Sequence, residues 1–327
     1  MQTTPRPFGI LLLAMSGALL VNSVLGPLGL DAIDYDVSES LRNQLVGLEV
    51  VTVVLVVPWS AVAGIRALRG RPDAPLLAFG PAAYTLYMFV QYVLGPEYAD
   101  YRPAQLLHLG LVVLSGGLTL WAWSLSRATV LPERSRRAER GYAAVLAGLA
   151  LFVVLRYAGG LLASFGSAPI PDEFAAGRTF YWSIHLLDLA FVVPATLVSA
   201  VALARGRPLG HRGLYAVTGW FALVPPSVAA MAAVMLVNDD PNGSLGTTVL
   251  LTTAALAFAG FAAHVHRPLV RGPVRGGTGA PAGAPAEASV PWSPDPPGSG
   301  RGHASPGTQS GSAKMSPSRN AKSSSPR

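Results

Sequence analysis

The sequence predicts an all-α integral membrane protein, a bundle of eight transmembrane helices followed by a disordered C-terminal tail. Three observations predict it. Of the 327 residues, 51% are hydrophobic and 13% are charged, which is about half the charged fraction of a soluble domain. Eight apolar stretches are long enough to cross a bilayer, which takes about 20 helical residues. Basic residues alternate between successive loops, as a fixed membrane orientation requires.

The eight predicted spans follow one another with short polar loops between them. They cover residues 8–30, 44–66, 75–95, 104–125, 142–164, 181–203, 213–237 and 245–266. The first span has a basic start, as a signal peptide does. Its apolar run is longer than that of a signal peptide and an acidic loop follows it, so we interpret it as a retained span.

The loops on the N-terminal side of the spans, here side B, are basic, and those on the opposite side A are acidic. Side B carries Arg6, Arg66, Arg69, Arg71, Arg127, Arg134, Arg136, Arg137, Arg140, Arg205, Arg207 and Arg212. Side A carries only Arg42, Arg102 and Arg178 among basic residues. Since short cytoplasmic loops collect arginine and lysine, side B is predicted to be cytoplasmic and both termini to lie inside, in the plasma (cytoplasmic) membrane.

The composition changes after His266, which divides the chain into a transmembrane domain, 1–266, and a tail, 267–327. The tail is rich in proline, glycine and serine and is expected to be disordered. Its scattered basic residues either contact anionic lipid at the inner leaflet or are simply solvated. The net charge of +7 therefore comes from loop orientation and the tail, and no nucleic-acid partner is predicted.

An internal repeat is suggested by a shift of 136 residues, which gives possible halves 1–136 and 137–266. Under this shift Val56-Val57-Pro58 meets Val192-Val193-Pro194, and Arg69-Gly70-Arg71-Pro72 meets Arg205-Gly206-Arg207-Pro208. The two halves would be parallel four-helix units related by an axis along the membrane normal. The alternative is chance similarity, since valine-rich helices followed by arginine-rich loops align easily.

Prolines inside the spans are candidate hinges. They are Pro58 in span two, Pro194 in span six, and Pro225 and Pro226 in span seven. A proline inside a helix removes one backbone hydrogen bond and crowds the preceding turn. Each of these helices is expected to kink or break there.

Seven polar side chains within the spans are the candidate solute- or proton-binding residues. They are Glu49, Gln91, His108, Arg156, Tyr181, His185 and Asp188. An ionisable side chain is costly inside a bilayer, so each is a functional-site hypothesis. From the helical rise, the ionisable groups and Gln91 lie about 6–12 Å below the side-A boundary. This shared depth predicts one polar pocket open toward side A.

Each of these residues also has a structural interpretation. Arg156 needs a partner, and Asp188 is the natural one at similar depth, with Glu49 second; the pair would either fix helix packing or leave Arg156 to bind an anion. Glu49 is either hydrogen-bonded near the interface or a proton carrier, because desolvation favours the neutral carboxyl group. His108 and His185 are either packing residues or part of the site.

Several chemistries are excluded or disfavoured. The absence of cysteine rules out disulfides, thiolate catalysis and cysteine-ligated metals. Glu49, His108, His185 and Asp188 form an acceptable zinc-like set, and the two histidines a possible haem pair, but their spacing matches no metal motif. Retinal attachment is excluded because the only lysines are in the tail. No cofactor or metal is predicted, and enzymatic activity is disfavoured.

One segment supports the membrane assignment by resemblance. Residues 84–101, reading YTLYMFVQYVLGPEYADY, resemble a segment of uncharacterised multi-pass membrane proteins of bacteria and archaea. The resemblance covers about one span and the following loop, and it implies no activity.

The sequence thus favours binding or transport of a small solute or ion through a pocket facing side A. The alternatives are a scaffold or sensor subunit of a membrane complex, and a membrane-embedded metal or haem enzyme.

Overall fold

The computed structural model is all-helical in the residues that it describes, 4–96, 102–166, 169–170, 174 and 177–271. Eight helices in this part of the chain are long and apolar enough to cross a membrane. They are α1 (Arg6–Leu25), α2 (Glu39–Leu68), α3 (Ala74–Leu94), α4 (Pro103–Ser126), α5 (Arg136–Ala163), α6 (Arg178–Ala204), α7 (Pro208–Val237) and α8 (Leu245–Arg271). Each predicted span corresponds to one of them, so the predicted number and order of the helices are confirmed.

Several predicted boundaries were wrong by five or six residues, including the starts of α2, α5 and α7, which begin at Glu39, Arg136 and Pro208 rather than at 44, 142 and 213. Helix α1 ends at Leu25 rather than at residue 30, because the next two residues are glycine and a proline, which disfavours helix in the residue before it. Helix α8 continues to Arg271, past the predicted start of the tail at 267. Its last turn carries arginine, which interacts favourably with the negative end of the helix dipole. The remainder of the predicted tail lies outside the described residues.

Helices α2 and α6 each contain a five-residue π-helical segment just before the candidate hinge proline. The segments are Thr52–Val56 and Asp188–Val192, which begin 136 residues apart. In each segment, a backbone N–H donates a hydrogen bond to the carbonyl oxygen five residues earlier. The donors are Val57, to the Thr52 carbonyl, and Val193, to the Asp188 carbonyl. The wider turn shifts the hydrogen-bond ladder by one residue, so Pro58 and Pro194 begin a new α-helical segment rather than sit in the middle of one.

Helix α7 is interrupted where its proline pair was expected to break it. An α-helical segment ends at Phe221 and a second begins at Val224, with Pro225 and Pro226 in its first turn. Proline is compatible with a first turn because the N–H groups there have no helical partner. Pro81, which was not among the candidate hinges, lies inside α3.

The two halves of the bundle share a packing pattern. Helix α1 packs on the C-terminal half of α2, and α5 packs on the C-terminal half of α6. The N-terminal half of α2 packs against α7, and the N-terminal half of α6 packs against α3. Helices α3 and α7 cross one another, and an ideal Cβ on Gly80 would lie 2.8 Å from the Gly219 carbonyl carbon.

The turns after α2 and α6 also match. Gly70 and Gly206 adopt φ of 68° and 64°, a left-handed conformation that favours glycine at a helix C-terminus. The N–H of the next residue, Arg71 or Arg207, donates to the carbonyl five residues earlier in both turns. Both Arg-Gly-Arg-Pro segments therefore end their helices in the same way.

Side-chain contacts tie the loops together at the two ends of the bundle. At side B, His211 contacts Glu139 at 2.7 Å, and Arg212 donates to the Arg127 carbonyl oxygen at 3.0 Å. At side A, the loop between α7 and α8 contacts the start of α2 through Asp240 and Asn43. The basic loops therefore meet at one end of the bundle, as the loop alternation predicts.

Candidate functional site

The Asp188 carboxyl group joins three helices. It lies in α6, at the first position of the π-helical segment, and is 4% exposed. Tyr87 of α3 donates to its Oδ1 at 2.8 Å, and Tyr157 of α5 donates to its Oδ2. Both carboxyl oxygens thus accept a tyrosine hydroxyl hydrogen from a different helix.

A cavity of about 300 Å³ lies beside this network, between α5 and α6. It is lined by Arg156, Tyr157, Gly160, Phe174, Tyr181, Ile184 and His185. The His185 ring centroid lies 4.4 Å from that of Tyr157 and 4.2 Å from that of Tyr181. The walls are therefore mainly aromatic, with one guanidinium group and one imidazole among them.

Arg156 does not form the expected ion pair with Asp188. Its guanidinium carbon lies over the Tyr157 ring, 5.4 Å from the centroid. Within the described residues, no carboxylate oxygen lies within 4.0 Å of the Arg156 guanidinium. The reason is that Asp188 already accepts hydrogen bonds from two tyrosines, one of which is covered by Arg156. Arg156 is exposed and faces the cavity.

Glu49 occupies a separate place near the start of α2. It is 1% exposed, and its Oε2 accepts a hydrogen bond from the Leu28 backbone N–H at 3.0 Å. Its Oε1 has no hydrogen-bond partner. The carboxyl group packs directly against Gly26, where an ideal Cβ would lie 2.1 Å from Oε1. Glu49 is therefore held beneath the loop that joins α1 to α2.

His108 lies in a third environment, which is aromatic. It is fully buried, and its Nε2 is 3.0 Å from Asn22 Oδ1. The Tyr35 ring stacks on the imidazole at 5.9 Å, and the rings of Phe89 and Tyr92 lie within 5.6 Å of it. The Nδ1 atom has no partner. These contacts join α1, α3 and α4 near side A.

The candidate residues therefore form three groups rather than the single pocket predicted from their depth. Arg156, Tyr181, His185 and Asp188 lie together, whereas Glu49 and His108 lie in the two other environments. Gln91 is 3% exposed and donates to the Tyr87 carbonyl oxygen at 3.3 Å, one turn back on α3. Equal depth did not imply proximity, because depth along a helix leaves the direction of the side chain around its axis undetermined.

The zinc-like set considered from sequence is divided among these groups. Among the described residues, no three histidine, aspartate or glutamate side chains come together as metal ligands do. The two histidines of the possible haem pair have different neighbours, since His185 Nδ1 lies 2.9 Å from the Tyr181 carbonyl oxygen and His108 faces Asn22.

A polar cluster at side A was missed by sequence reasoning. Asp240 follows α7 and accepts hydrogen bonds from Asn43 Nδ2 at 3.0 Å, the Asn242 backbone N–H at 2.9 Å and Ser40 Oγ at 3.3 Å. Asn238 Nδ2 donates to Asn43 Oδ1 at 2.6 Å. The only sequence signal was a run of asparagine and aspartate near a loop, which more often marks a turn.

The Asp240 cluster predicts a dependence of stability on pH. Burial acts to raise the pKa of Asp240, but the hydrogen bonds from Asn43, Asn242 and Ser40 prevail and lower it below its ordinary value of 3.8. A carboxyl group whose pKa is lower in the folded state stabilises the fold at higher pH, and this contribution is lost as the pH falls through the folded-state pKa. Asp240→Asn should therefore lower the free energy of unfolding at neutral pH by about 1 kcal/mol and reduce the loss of stability in acid.

Thermal unfolding of the purified protein in detergent, from neutral pH to below the ordinary aspartate pKa, measures this effect. Asp239→Asn is the matched control, because Asp239 is the exposed neighbour and its φ of 51° is one that asparagine also tolerates. Equal stability of Asp240→Asn and the wild type at neutral pH would contradict the prediction.

No protein-family model, curated protein or solved structure matches this chain.

Proposed function

We propose that this chain is an eight-span integral membrane protein that binds a small anionic solute in the cavity beside Arg156. The observation that carries the proposal is an arginine within an apolar helix, facing a cavity, with no carboxylate partner among the described residues. A cation in such a place requires an anion, and the cavity provides room for one.

The membrane assignment is supported by the outward faces of the helices. On α4, Leu106, Val113 and Leu120 are about three-quarters exposed, at 75%, 75% and 74%. Apolar side chains exposed along a whole helix are unfavourable in water and favourable in lipid. The arginine-rich loops favour a cytoplasmic side B, with both termini inside.

The lining of the cavity favours an anion over a cation. The Arg156 guanidinium supplies several N–H donors and a positive charge, and His185 and the Tyr181 hydroxyl lie on the facing helix. The nearby acidic group, Asp188, is separated from the cavity by Tyr157 and is occupied by two hydroxyl donors. A carboxylate or phosphate of modest size fits both the donors and the volume.

Access from side A is supported by the position of the cavity. Arg156 stands seven residues before the end of α5 at Ala163, which is about 10 Å along the helix. Gly160, one turn nearer that end, also lines the cavity. The solute would therefore enter from the exterior, the side where the acidic loops lie.

We infer that the two halves are parallel four-helix repeats and that Pro58 and Pro194 mark paired hinges. Support comes from the π-helical segments 136 residues apart, from the matching turns and from the shared packing pattern. A π-helical turn next to a proline leaves fewer constraints on the helix axis than a regular α-helix. Movement of the outer half of α6 at Pro194 would change the cavity, which connects binding to transport.

The direct test is anion binding by the purified protein. We expect at least one of acetate, succinate, benzoate and phosphate to raise the unfolding temperature of the wild type, since a ligand that binds only the folded state stabilises it. Arg156→Gln should weaken that anion's affinity by at least about tenfold, whereas Arg156→Lys should retain part of it because the charge remains.

Arg137→Gln is the matched control, because Arg137 is an exposed arginine on the same helix but at side B. It should bind the anion as the wild type does. An equal loss in both variants would indicate a general charge effect, and no response to any of the four anions would contradict the proposed site.

A second candidate function is that of a scaffold or sensor subunit in a membrane complex. It is favoured by the Asp188 network, which ties α3, α5 and α6 together without any ligand. In that case the anions would leave the unfolding temperature unchanged, and substitution of Asp188 would affect stability alone.

A further inference from the structure

The internal similarity places Glu49 at a position equivalent to His185. Each stands three residues before a π-helical segment, Glu49 before Thr52 and His185 before Asp188. Each is also buried, at 1% and 8% exposure. His185 borders the cavity proposed above, whereas Glu49 lies under a loop. The two halves thus carry an ionisable side chain at equivalent positions of α2 and α6.

The surroundings of Glu49 leave one carboxyl oxygen available. Oε2 accepts the Leu28 N–H at 3.0 Å, and Oε1 is buried without a partner. A buried polar atom without a partner is unfavourable and is uncommon in folded proteins. The contact with Gly26 leaves little room beside Oε1, since even a methyl group on that glycine would overlap it.

The charged groups around Glu49 do not neutralise it. Asp31, in the covering loop, forms an ion pair with Arg42 of α2. The half of α7 that packs against this part of α2 carries no ionisable side chain. Asp240 lies beyond Asn43, which donates to it. Behind Gly26, on the side of α1 and α4, His108 faces Asn22 rather than the carboxyl group.

We propose that the Glu49 carboxyl group binds a proton at Oε1 and exchanges it with the solution on side A. A metal cation is a poorer ligand for this place, because cations require several oxygen atoms around them. Here a donor, the Leu28 N–H, points at the carboxyl group instead. A proton needs only the one free oxygen and almost no space, so it fits the geometry. The site is independent of the anion cavity.

The loop over residues 26–33 supplies the route for exchange. Leu28, whose N–H donates to the buried carboxyl group, is itself 38% exposed, so the loop is thin at this point. Two contacts hold it to α2, the Leu28 hydrogen bond to Glu49 and the ion pair of Asp31 with Arg42. Asp31 has φ of 53°, a conformation that is uncommon for a residue with a side chain. Backbone hydrogen bonds hold residues 30–33 to the end of α1, so a brief opening confined to Leu28 would bring water to Oε1.

Infrared difference spectroscopy of the protein in lipid nanodiscs tests the proposal without any solute. Spectra are recorded from about pH 4 to about pH 10, which brackets carboxyl titration in most environments. Exposed carboxyl groups also titrate near pH 4, so the signal of interest is the difference between the wild type and Glu49→Gln, which should contain one carboxylic-acid carbonyl band that disappears with rising pH. Glu39→Gln, at an exposed glutamate in the first turn of the same helix, should retain that band.

Two additional experiments test whether the band belongs to Glu49 and whether the bound species is a proton. Gly26→Ala retains Glu49 but places a methyl group against Oε1, so the band should shift in frequency or in midpoint even if Glu49→Gln does not fold. The titration is then repeated with sodium chloride replaced by choline chloride. A midpoint that depends on sodium would mean that a cation competes for the site and would overturn the proposal. Identical wild-type and Glu49→Gln spectra, or no shift with Gly26→Ala, would overturn it as well.

Discussion

Asp188→Ala is expected to lower the free energy of unfolding by about 3 kcal/mol, because it leaves two buried tyrosine hydroxyl groups without an acceptor. Tyr87 and Tyr157 both donate to the Asp188 carboxyl group, from helices on either side of α6. The loss should be visible as a lower unfolding temperature and a lower denaturant midpoint in the same detergent.

Double-mutant cycles separate the network from the alternative that sequence reasoning favoured. If Asp188 acts through its tyrosines, the Tyr157→Phe and Asp188→Ala changes should be strongly non-additive, with a coupling of about 1 kcal/mol or more. Arg156→Gln and Asp188→Ala should show a smaller coupling than Tyr157→Phe and Asp188→Ala, since Arg156 reaches Asp188 only through the ring of Tyr157. Strong coupling between Arg156 and Asp188 instead would refute the arrangement described here.

The helices of this protein could be predicted from sequence because the signal was simple. Each apolar stretch exceeded the length needed to cross a bilayer, and arginine separated the loops into two sets. The interruption of α7 at Pro225 and Pro226 was also predictable, since proline acts locally on the backbone. These features depend on residues close together in the chain.

The partners of the polar residues could not be predicted in the same way. Arg156 and Asp188 have opposite charges and similar depth, which favoured an ion pair. The structure places the Tyr157 ring beside the guanidinium and the Tyr157 hydroxyl on the carboxyl group. Which of several polar groups at one depth become neighbours depends on the rotation of each helix, and the sequence carries little information about that rotation.

The π-helical segments are an intermediate case. The repeated Val-Val-Pro sequence indicated that α2 and α6 would be disturbed at equivalent places, and both are. The pattern suggested a kink with one backbone hydrogen bond missing at each proline. The extra residue of a π-helical turn could not be predicted. It depends on how the backbone hydrogen bonds of the helix rearrange around the proline, which has no N–H group.

Gly80→Ala is expected to destabilise the protein by about 1–3 kcal/mol, whereas Gly219→Ala is expected to be nearly neutral. The two glycines face each other where α3 and α7 cross, but they are not equally constrained. A Cβ on Gly80 would lie 2.8 Å from the carbonyl carbon and 2.9 Å from the carbonyl oxygen of Gly219. These are backbone atoms that cannot move without displacing a helix.

A Cβ on Gly219 would meet the Gly80 Cα at 3.4 Å and the Gly80 nitrogen at 3.7 Å, which is ordinary contact. The pair is therefore its own control, since both changes add one methyl group at one crossing. Small residues let membrane helices approach closely, and this crossing joins the α3 of one half to the α7 of the other. Unfolding temperatures in detergent should rank Gly80→Ala below Gly219→Ala; the reverse order would mean that the helices cross with a different rotation. Such a rotation would also redirect Tyr87, which reaches Asp188 from α3, so this stability comparison tests the geometry on which the Asp188 network depends.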